Sequence, residues 1–366
     1  MRFPEFQGEW CISTIGEQFD LYSGNTPSRL KKEHFEGNVN WITSGELKEH
    51  YISDTKEKIS EDAATANNLK LLHPGTFVIA IYGLEADGVR GTGSITCKES
   101  TISQACMAFT QKGDVKNEFL YSWYKKHGNI IGIKYAQGTK QQNLSYDILE
   151  KFHIAYPSQD EQDKLIKFIS LLDERIATQS KLIEKLESLI KGIAQKIVRN
   201  NKPNVRLAEC LECISSTLQE SEVCEQGTYP VYGANGIVGY LDSYNTEGEA
   251  VYIIKDGSGV GTISYVTGKC SATGTLNTLQ TKDGYSLQYL YYMLKVFNFE
   301  PYKTGMAIPH IYFKDYGKAK VFCPSYTEQL QYARLLYAIE SKLSIEKNIL
   351  TSLSLQKQYL LRQMFI

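Results

Sequence analysis

The chain contains 366 residues, 42% hydrophobic and 22% charged, which is ordinary for a soluble globular protein and leaves room for two domains. Its formal net charge is −1, whereas a free-standing nucleic-acid-binding domain is usually basic, so any such surface must be a local patch. The start of the chain has no apolar signal sequence, and no stretch approaches the ~18 apolar residues of a membrane span. We therefore expect a cytoplasmic protein without membrane contact.

Residues 1–158 predict a first domain of mixed α/β structure with long polar loops. The apolar run 75–83 predicts a buried strand, which forms a hairpin with a second strand at 94–97. A helix is predicted over 118–127. The polar loop 135–143 then precedes the last predicted strand of the domain.

Residues 159–202 predict one long amphipathic helix, from about Asp160 to Val198, followed by a polar linker. Its apolar residues alternate at spacings of four and three, a heptad pattern broken only by Gln179. A lone helix cannot bury so narrow a stripe, so the helix needs a partner. The predicted seam residues are Leu165, Ile169, Leu172, Ile176, Gln179, Ile183, Leu186 and Ile190.

An internal repeat predicts that this partner is a second long helix of the same chain. Pro157-Ser158-x-x-Glu161-Gln162 recurs at Pro324-Ser325-x-x-Glu328-Gln329, an offset of 167 residues. The same offset carries the heptad pattern into a C-terminal helix at 326–366 and carries its polar break onto Glu346. The predicted seam residues of this second helix are Leu336, Ile339, Leu343, Glu346, Leu350 and Leu353.

Residues 203–325 repeat the order of the first domain in a shorter form. A strand is predicted at 250–254, and the glycine-rich segment 255–261 forms the tip of its hairpin. The segment Gly305–His310 corresponds to Gly138–Asn143 of the first domain. The predicted fold class is α+β, with two mixed α/β domains separated by two long helices that pack as an antiparallel coiled coil, in an internal pseudo-twofold repeat.

No segment carries a catalytic signature. Gly257–Gly261 is followed by β-structure, whereas a dinucleotide-binding loop opens a helix. Glu46-Leu47-Lys48 lacks the upstream acidic partner of a nuclease site, and no histidine pair has metal-ligand spacing. Cys210-x-x-Cys213 with Cys224 and Cys270 leaves zinc open, although buried reduced thiols are favoured because a second Cys-x-x-Cys pair is missing.

The loops carry side chains that suit recognition of nucleic acid. Several tyrosines lie beside basic residues, as in Tyr121–His127, where aromatic rings can stack and cations can reach phosphates. Other loop side chains can form paired hydrogen bonds with base edges. These are Arg29, Arg90, Gln141, Gln142, Asn143 and Asn235.

The order of these motifs, present twice, resembles the specificity subunit of type I restriction–modification systems along essentially the whole chain. The second copy departs from the pattern at 305–310, which lacks the Gln-Asn of the first copy. The resemblance therefore defines the DNA contacts of the second domain less closely than those of the first. The segments that carry the resemblance are Ser23–Ser28, Trp41–Leu47, Gln137–Asn143, the two helix starts, Tyr229–Gly233 and Asp256–Gly259.

The resemblance implies a non-catalytic DNA reader with target-recognition domains at 1–158 and 203–325. It further implies a bipartite double-stranded DNA site, two methyltransferase subunits and, in the full complex, restriction subunits that serve phage defence. Adenine methylation and ATP-dependent cleavage would use S-adenosylmethionine, ATP and Mg²⁺ on those partners, with no cofactor or metal in this chain. Further candidate DNA-contacting residues are Thr26, Ser28, Lys31, Thr43, Ser44, Tyr82, Lys140, Tyr232, Lys255, Ser258, Lys303 and His310.

The two long helices predict what would set the distance between the two halves of such a DNA site. At about 40 residues each, they would span roughly 60 Å, so their length would set the spacer between half-sites, and their outer faces would dock the methyltransferases. Matched polar residues at Gln179 and Glu346 would select the antiparallel register. Two alternatives remain: a coiled-coil adaptor with two protein-binding end domains, and a nuclease with an unrecognised site.

Overall fold

The computed structural model describes residues 1–86, 88–138, 142–305 and 307–365. It divides into two compact units, one of residues 1–178 with 350–366 and the other of residues 179–349. Each unit therefore contains one mixed α/β domain together with parts of both long helices. Among the described residues, no helix has the length and hydropathy needed to cross a membrane.

The first unit contains a largely antiparallel sheet covered by one helix. Its strands are β1 (Cys11–Thr14), β2 (Phe19–Ser23), β3 (Val39–Ile42), β4 (Tyr51–Ile52), β5 (Lys58–Ile59), β6 (Phe77–Ala80), β7 (Gly93–Thr96), β8 (Ser100–Ile102), β9 (Cys106–Gln111) and β10 (His153–Tyr156). Its helices are α1 (Ile15–Gln18), α2 (Glu61–Ala66), α3 (Asn117–Tyr135) and α4 (Tyr146–Leu149), after which α5 (Gln159–Asn200) begins.

The main sheet has the strand order β2-β9-β6-β7-β4, beside a smaller sheet β5-β3-β8 and the pair β1-β10. Its central strand β6 is completely buried. Phe77 on β6 contacts Phe109 on β9 and Tyr121 on α3, with ring centroids 5.4 and 6.0 Å apart. The predicted hairpin is confirmed, because β6 and β7 pair antiparallel. The predicted helix is confirmed as α3, which is longer at its C-terminal end than expected.

The second unit follows the same plan. Its strands are β11 (Val205–Arg206), β12 (Leu211–Ser215), β13 (Tyr229–Gly233), β14 (Gly236–Leu241), β15 (Ala250–Ile254), β16 (Ile263–Val266), β17 (Ser271–Ala272), β18 (Leu276–Thr281) and β19 (Lys320–Val321). Its helices are α6 (Leu207–Cys210), α7 (Leu287–Lys295) and α8 (Phe313–Tyr316), after which α9 (Tyr326–Met364) begins.

The sheets confirm the internal repeat. The order β12-β18-β15-β16 matches β2-β9-β6-β7, and the parallel pair β13-β17 matches the parallel pair β3-β8. The repeated glutamine makes equivalent bonds in both units. Gln162 Oε1 accepts from the Lys116 N–H at the start of α3 (3.0 Å), and Gln329 Oε1 accepts from the Ser286 N–H at the start of α7 (2.9 Å).

All fourteen predicted seam residues are buried or half-buried. In the first unit, Leu165 and Ile169 of α5 share one core with Leu361 and Met364 near the end of α9. There the beginning of one helix packs against the end of the other, as an antiparallel pair requires.

In the second unit, the two polar residues that interrupt the apolar seam contact each other directly. The side-chain amide of Gln179 donates to a carboxylate oxygen (2.5 Å) and to the backbone carbonyl (3.1 Å) of Glu346. Glu187 and Lys347 form an ion pair at 2.6 Å. Helix α5 ends at Asn200, so the polar linker is shorter at its N-terminal side than predicted.

The cysteines of the zinc alternative do not share a site. Cys210 donates to the Leu207 carbonyl (3.4 Å), and the Cys270 sulfur lies 3.1 Å from the Tyr252 hydroxyl. Cys224 is exposed. Within the described residues, no three His, Cys, Asp or Glu side chains are grouped to hold a metal ion. The zinc alternative therefore gains no support from the described residues.

Candidate nucleic-acid interface

In the first unit, two loops are joined at the end of the central hairpin. One is the β6–β7 loop, and the other lies between α3 and α4. The second loop is closed on itself, because the backbones of Gln137 and Asn143 exchange two hydrogen bonds of 2.9 Å. Its next residue, Leu144, donates its N–H to the Ile81 carbonyl in the β6–β7 loop (2.9 Å). The two loops therefore form one surface, which we name the first loop pair.

Side chains fix the first loop pair more tightly. Glu85 accepts the backbone N–H of Gln142 (2.8 Å), and this bond holds the pKa of Glu85 below its usual value. Arg90 donates from Nη2 to the side-chain oxygen of Gln142 (2.8 Å). Arg90 can approach α3 because Gly132 has no side chain, since a Cβ there would lie 2.5 Å from Arg90 Cγ. Charge and close packing together determine where Gln142 lies.

The second unit contains an equivalent second loop pair. The backbones of Thr304 and His310 exchange hydrogen bonds of 2.9 and 2.8 Å, and Ile311 donates to the Lys255 carbonyl (2.9 Å). A side-chain contact joins the loops here as well, since His310 Nδ1 lies 2.8 Å from Asp256 Oδ1. The matching backbone bonds place His310 where the first unit has Asn143.

Each loop pair has an adjoining depression. A cleft of about 510 Å³ in the first unit is lined by Ser23, Tyr82, Asn143 and Tyr146, among others. In the second unit, a groove of about 480 Å³ includes Lys303. The second hairpin tip turns through Gly257 and Gly261, whose φ angles of +96° and +89° favour glycine. The interpretation of this segment as a hairpin tip is confirmed, because β15 and β16 pair antiparallel.

A family model described as "Type I restriction modification DNA specificity domain" matches residues 7–188 and 203–355. The chain belongs to this family. The resemblance that the ordered motifs predicted is therefore confirmed, and the two matched regions correspond to the two copies of the repeat.

Individual specificity subunits are similar to this chain over different fractions of their own length. The EcoprrI specificity subunit of Escherichia coli is 23% identical over 90% of this chain and 86% of its own length. The MjaIX specificity subunit of Methanocaldococcus jannaschii is 28% identical over 50% of this chain, but the match spans only 42% of that protein. The crystal structure of the S subunit from M. genitalium, 21% identical, covers 100% of this chain and 99% of its own with a TM-score of 0.68, and so shares the fold.

Four of the predicted DNA-contacting residues of this specificity subunit lie together in the first loop pair: Tyr82, Arg90, Gln142 and Asn143. Lys140 and Gln141, predicted on the same loop, lie outside the described residues. The other predicted residues of the first domain lie on the segment after β2 and on the turn after β3, and these are Thr26, Ser28, Arg29, Lys31, Thr43 and Ser44.

Two of those residues already have protein partners. The Arg29 guanidinium makes two hydrogen bonds with the Glu57 carboxylate (2.5 and 2.8 Å) and lies over the Phe35 ring. The Thr43 hydroxyl donates to Glu46 (2.9 Å). Contact of either residue with DNA would have to compete with these bonds.

In the second domain of the specificity subunit, Lys255, Ser258 and His310 belong to the second loop pair. Lys303 bonds to Glu300 at 2.6 Å. Two further predicted residues lie elsewhere, since the Tyr232 ring packs 5.6 Å from that of Tyr252 and Asn235 is exposed in the turn after β13.

Sequence reasoning missed two acidic residues of the loop pairs, Glu85 and Asp256. Both follow a predicted buried strand within a few residues, and this position in the sequence could have identified them as loop residues near the site. The repeat does not align them, because Asp256 takes the position of Tyr82: the two form equivalent bridges, to His310 and to Asn143. Both carboxylates position neighbouring residues of the loop pairs.

Proposed function

We propose that this specificity subunit reads a bipartite site in double-stranded DNA, one half with each loop pair. The carrying observation is that the same backbone hydrogen bonds recur in both domains while the side chains they present differ, with Asn143 in one and His310 in the other. One scaffold presenting two sets of polar groups suits the reading of two different short sequences. The chain itself would catalyse no reaction.

The long helices would set the spacer between the half-sites. Helix α5 has 42 residues, a length of about 63 Å at ~1.5 Å per residue. Both helices lack proline inside, and each is held by seam contacts in both units. Such a rigid element could separate two readers by a fixed number of base pairs.

The outer surface of α9 supports docking of methyltransferase subunits. In the second unit it exposes Tyr337 and Ile345, and in the first unit Leu355 and Tyr359, each more than half exposed. Exposed apolar groups of this kind indicate an interaction surface. We propose two methyltransferase subunits as partners, joined by restriction subunits in the full complex, with S-adenosylmethionine, ATP and Mg²⁺ bound by those partners.

Methylome sequencing of the host with and without this gene tests the proposal. Deletion should remove one bipartite adenine-methylation motif. Replacement of residues 137–143 should alter only one half of that motif, and replacement of 304–310 only the other. An unchanged methylome after deletion, with the partners expressed, would refute the function.

The spacer role has its own test. One heptad inserted at matched positions of α5 and α9 adds about 10 Å, or roughly three base pairs at ~3.4 Å each. The methylated motif should then keep both half-sites and gain spacer length. Loss of methylation with a folded protein, or an unchanged spacer, would contradict this role.

A further inference from the structure

The hydrogen bond between Arg90 and Gln142 determines what the first loop pair can offer a ligand. A guanidinium has only donors, so the atom of Gln142 that faces it must be the amide oxygen. That oxygen is 2.8 Å from Arg90 Nη2. This bond takes one of the two lone pairs of the oxygen, whereas the Gln142 NH₂ group and the other N–H groups of Arg90 are donors.

Base edges differ in how they match such a surface. Paired recognition of adenine in the major groove requires one donor and one acceptor, and a free glutamine amide supplies both. Guanine presents two neighbouring acceptors, O6 and N7, and requires two donors. We propose that Arg90 and Gln142 form a donor-rich unit that selects guanine in the first half-site. This inference rests on the proposed function, in which the first domain reads DNA.

The backbone of Gln142 is also held in place, by two hydrogen bonds. Its backbone N–H is bound by Glu85 (2.8 Å), and its carbonyl accepts from the Leu84 N–H (3.1 Å). Both Gln142 and Arg90 remain partly exposed. The reading groups are therefore positioned before DNA arrives, which reduces the entropy lost on binding.

The second loop pair does not repeat this arrangement. Pro309 takes the position of Gln142, because its carbonyl accepts from Gly257 (2.9 Å) as that of Gln142 accepts from Leu84, and it supplies no side-chain donor. The Asp256 carboxylate only accepts, so the facing Nδ1 of His310 carries the hydrogen.

Base analogues test the first unit without altering the protein. The assembled methyltransferase complex would methylate duplexes carrying the motif, with each guanine of the first half-site replaced in turn by 7-deazaguanine, which lacks the N7 acceptor. At one guanine the rate should fall by roughly tenfold or more, the discrimination expected of a paired contact. Inosine, which keeps O6 and N7, should be tolerated there.

Substitutions provide the second arm. Gln142→Glu still accepts from Arg90 but replaces the amide donor with an acceptor, so one position of the first half-site should lose its guanine preference while the second half-site is unchanged. Gln111→Glu, exposed at the end of β9, adds the same charge away from the loops and should keep the motif. Asp256→Asn should change one position of the second half-site only.

The outcomes separate this inference from the function on which it rests. If deletion of the gene removes the bipartite motif, yet 7-deazaguanine is tolerated throughout the first half-site or Gln142→Glu keeps the wild-type motif, the donor-rich unit is refuted and the proposed function stands. If deletion leaves the methylome unchanged, the proposed function itself fails.

Discussion

The paired glutamines at the helix starts allow a matched test of what joins each domain to its long helix. Gln329 is 1% exposed, and its side chain both accepts from the Ser286 N–H and donates to the Pro324 carbonyl, each at 2.9 Å. Gln329→Leu replaces the side-chain amide with an apolar group and removes both bonds. The buried N–H and carbonyl would then lack partners.

Leaving a buried polar group unsatisfied costs about 1–3 kcal/mol, so two such groups should lower the free energy of unfolding by about 3 kcal/mol. Gln162 is completely buried and has a third bond, from its amide to the Asp114 carbonyl (3.1 Å). Gln162→Leu should therefore cost about 1 kcal/mol more than Gln329→Leu. The exposed positions Gln331 and Gln159 supply control leucine substitutions within about 0.5 kcal/mol of wild type.

Denaturant unfolding combined with amide hydrogen exchange measures both parts of this prediction. Gln329→Leu should accelerate exchange at Ser286 and leave Lys116 protected, whereas Gln162→Leu should do the reverse. The reasoning would be refuted if either variant unfolded at the same denaturant concentration as its control. It would also fail if Gln329→Leu deprotected Lys116 rather than Ser286.

Three further predictions concern packing, pH and register. Gly132→Ala should destabilise the first unit by about 1–3 kcal/mol in thermal unfolding, because its Cβ meets Arg90, whereas Gly192→Ala in α5, with nothing within 4 Å, should gain up to ~1 kcal/mol. Burial lowers the pKa of His50, but hydrogen bonds to Asp173 and Glu118 raise it above its usual 6.5 overall, so its stabilising effect is full below pH 6.5 and lost as pH rises through the folded pKa. His50→Gln should consequently cost stability at pH 6 and little at high pH, and an equal cost at both would contradict the linkage. Replacing Gln179 and Glu346 together by leucine should raise the free energy of unfolding by about 1–2 kcal/mol and loosen spacer preference in the methylome, and unchanged spacer selectivity would reject the register role.

Much of the architecture was predictable because it repeats. The heptad pattern identified α5 to within two residues at each end, and the offset of 167 residues located α9 and paired Gln179 with Glu346 before any coordinates were known. A period of 3.5 residues over ten turns has few alternative explanations. The central strands β6 and β15 were equally clear, since each is a short, wholly apolar segment bounded by turn residues.

The partners of charged side chains could not be predicted in the same way. Arg29 was expected on DNA, yet it is bound to Glu57, a residue 28 positions away. His50 lies between Glu118 (2.8 Å) and Asp173 (3.2 Å), from two different helices. Such contacts depend on how separate elements pack, and neither periodicity nor propensity carries that information.

The two copies differ where a reader of different sequences should differ. The glutamine that ties each domain to its helix bonds to the equivalent backbone N–H in both copies, because a change there would leave buried backbone groups unsatisfied. The loop pairs share backbone hydrogen bonds that recur in both copies, whereas the side-chain bonds that add to them differ between the copies. Side chains at Gln142 and at Pro309 can therefore diverge without disturbing the fold, and a new half-site specificity would require only loop substitutions. The same separation of scaffold from loops explains why the fold could be predicted from sequence while the recognised bases could not.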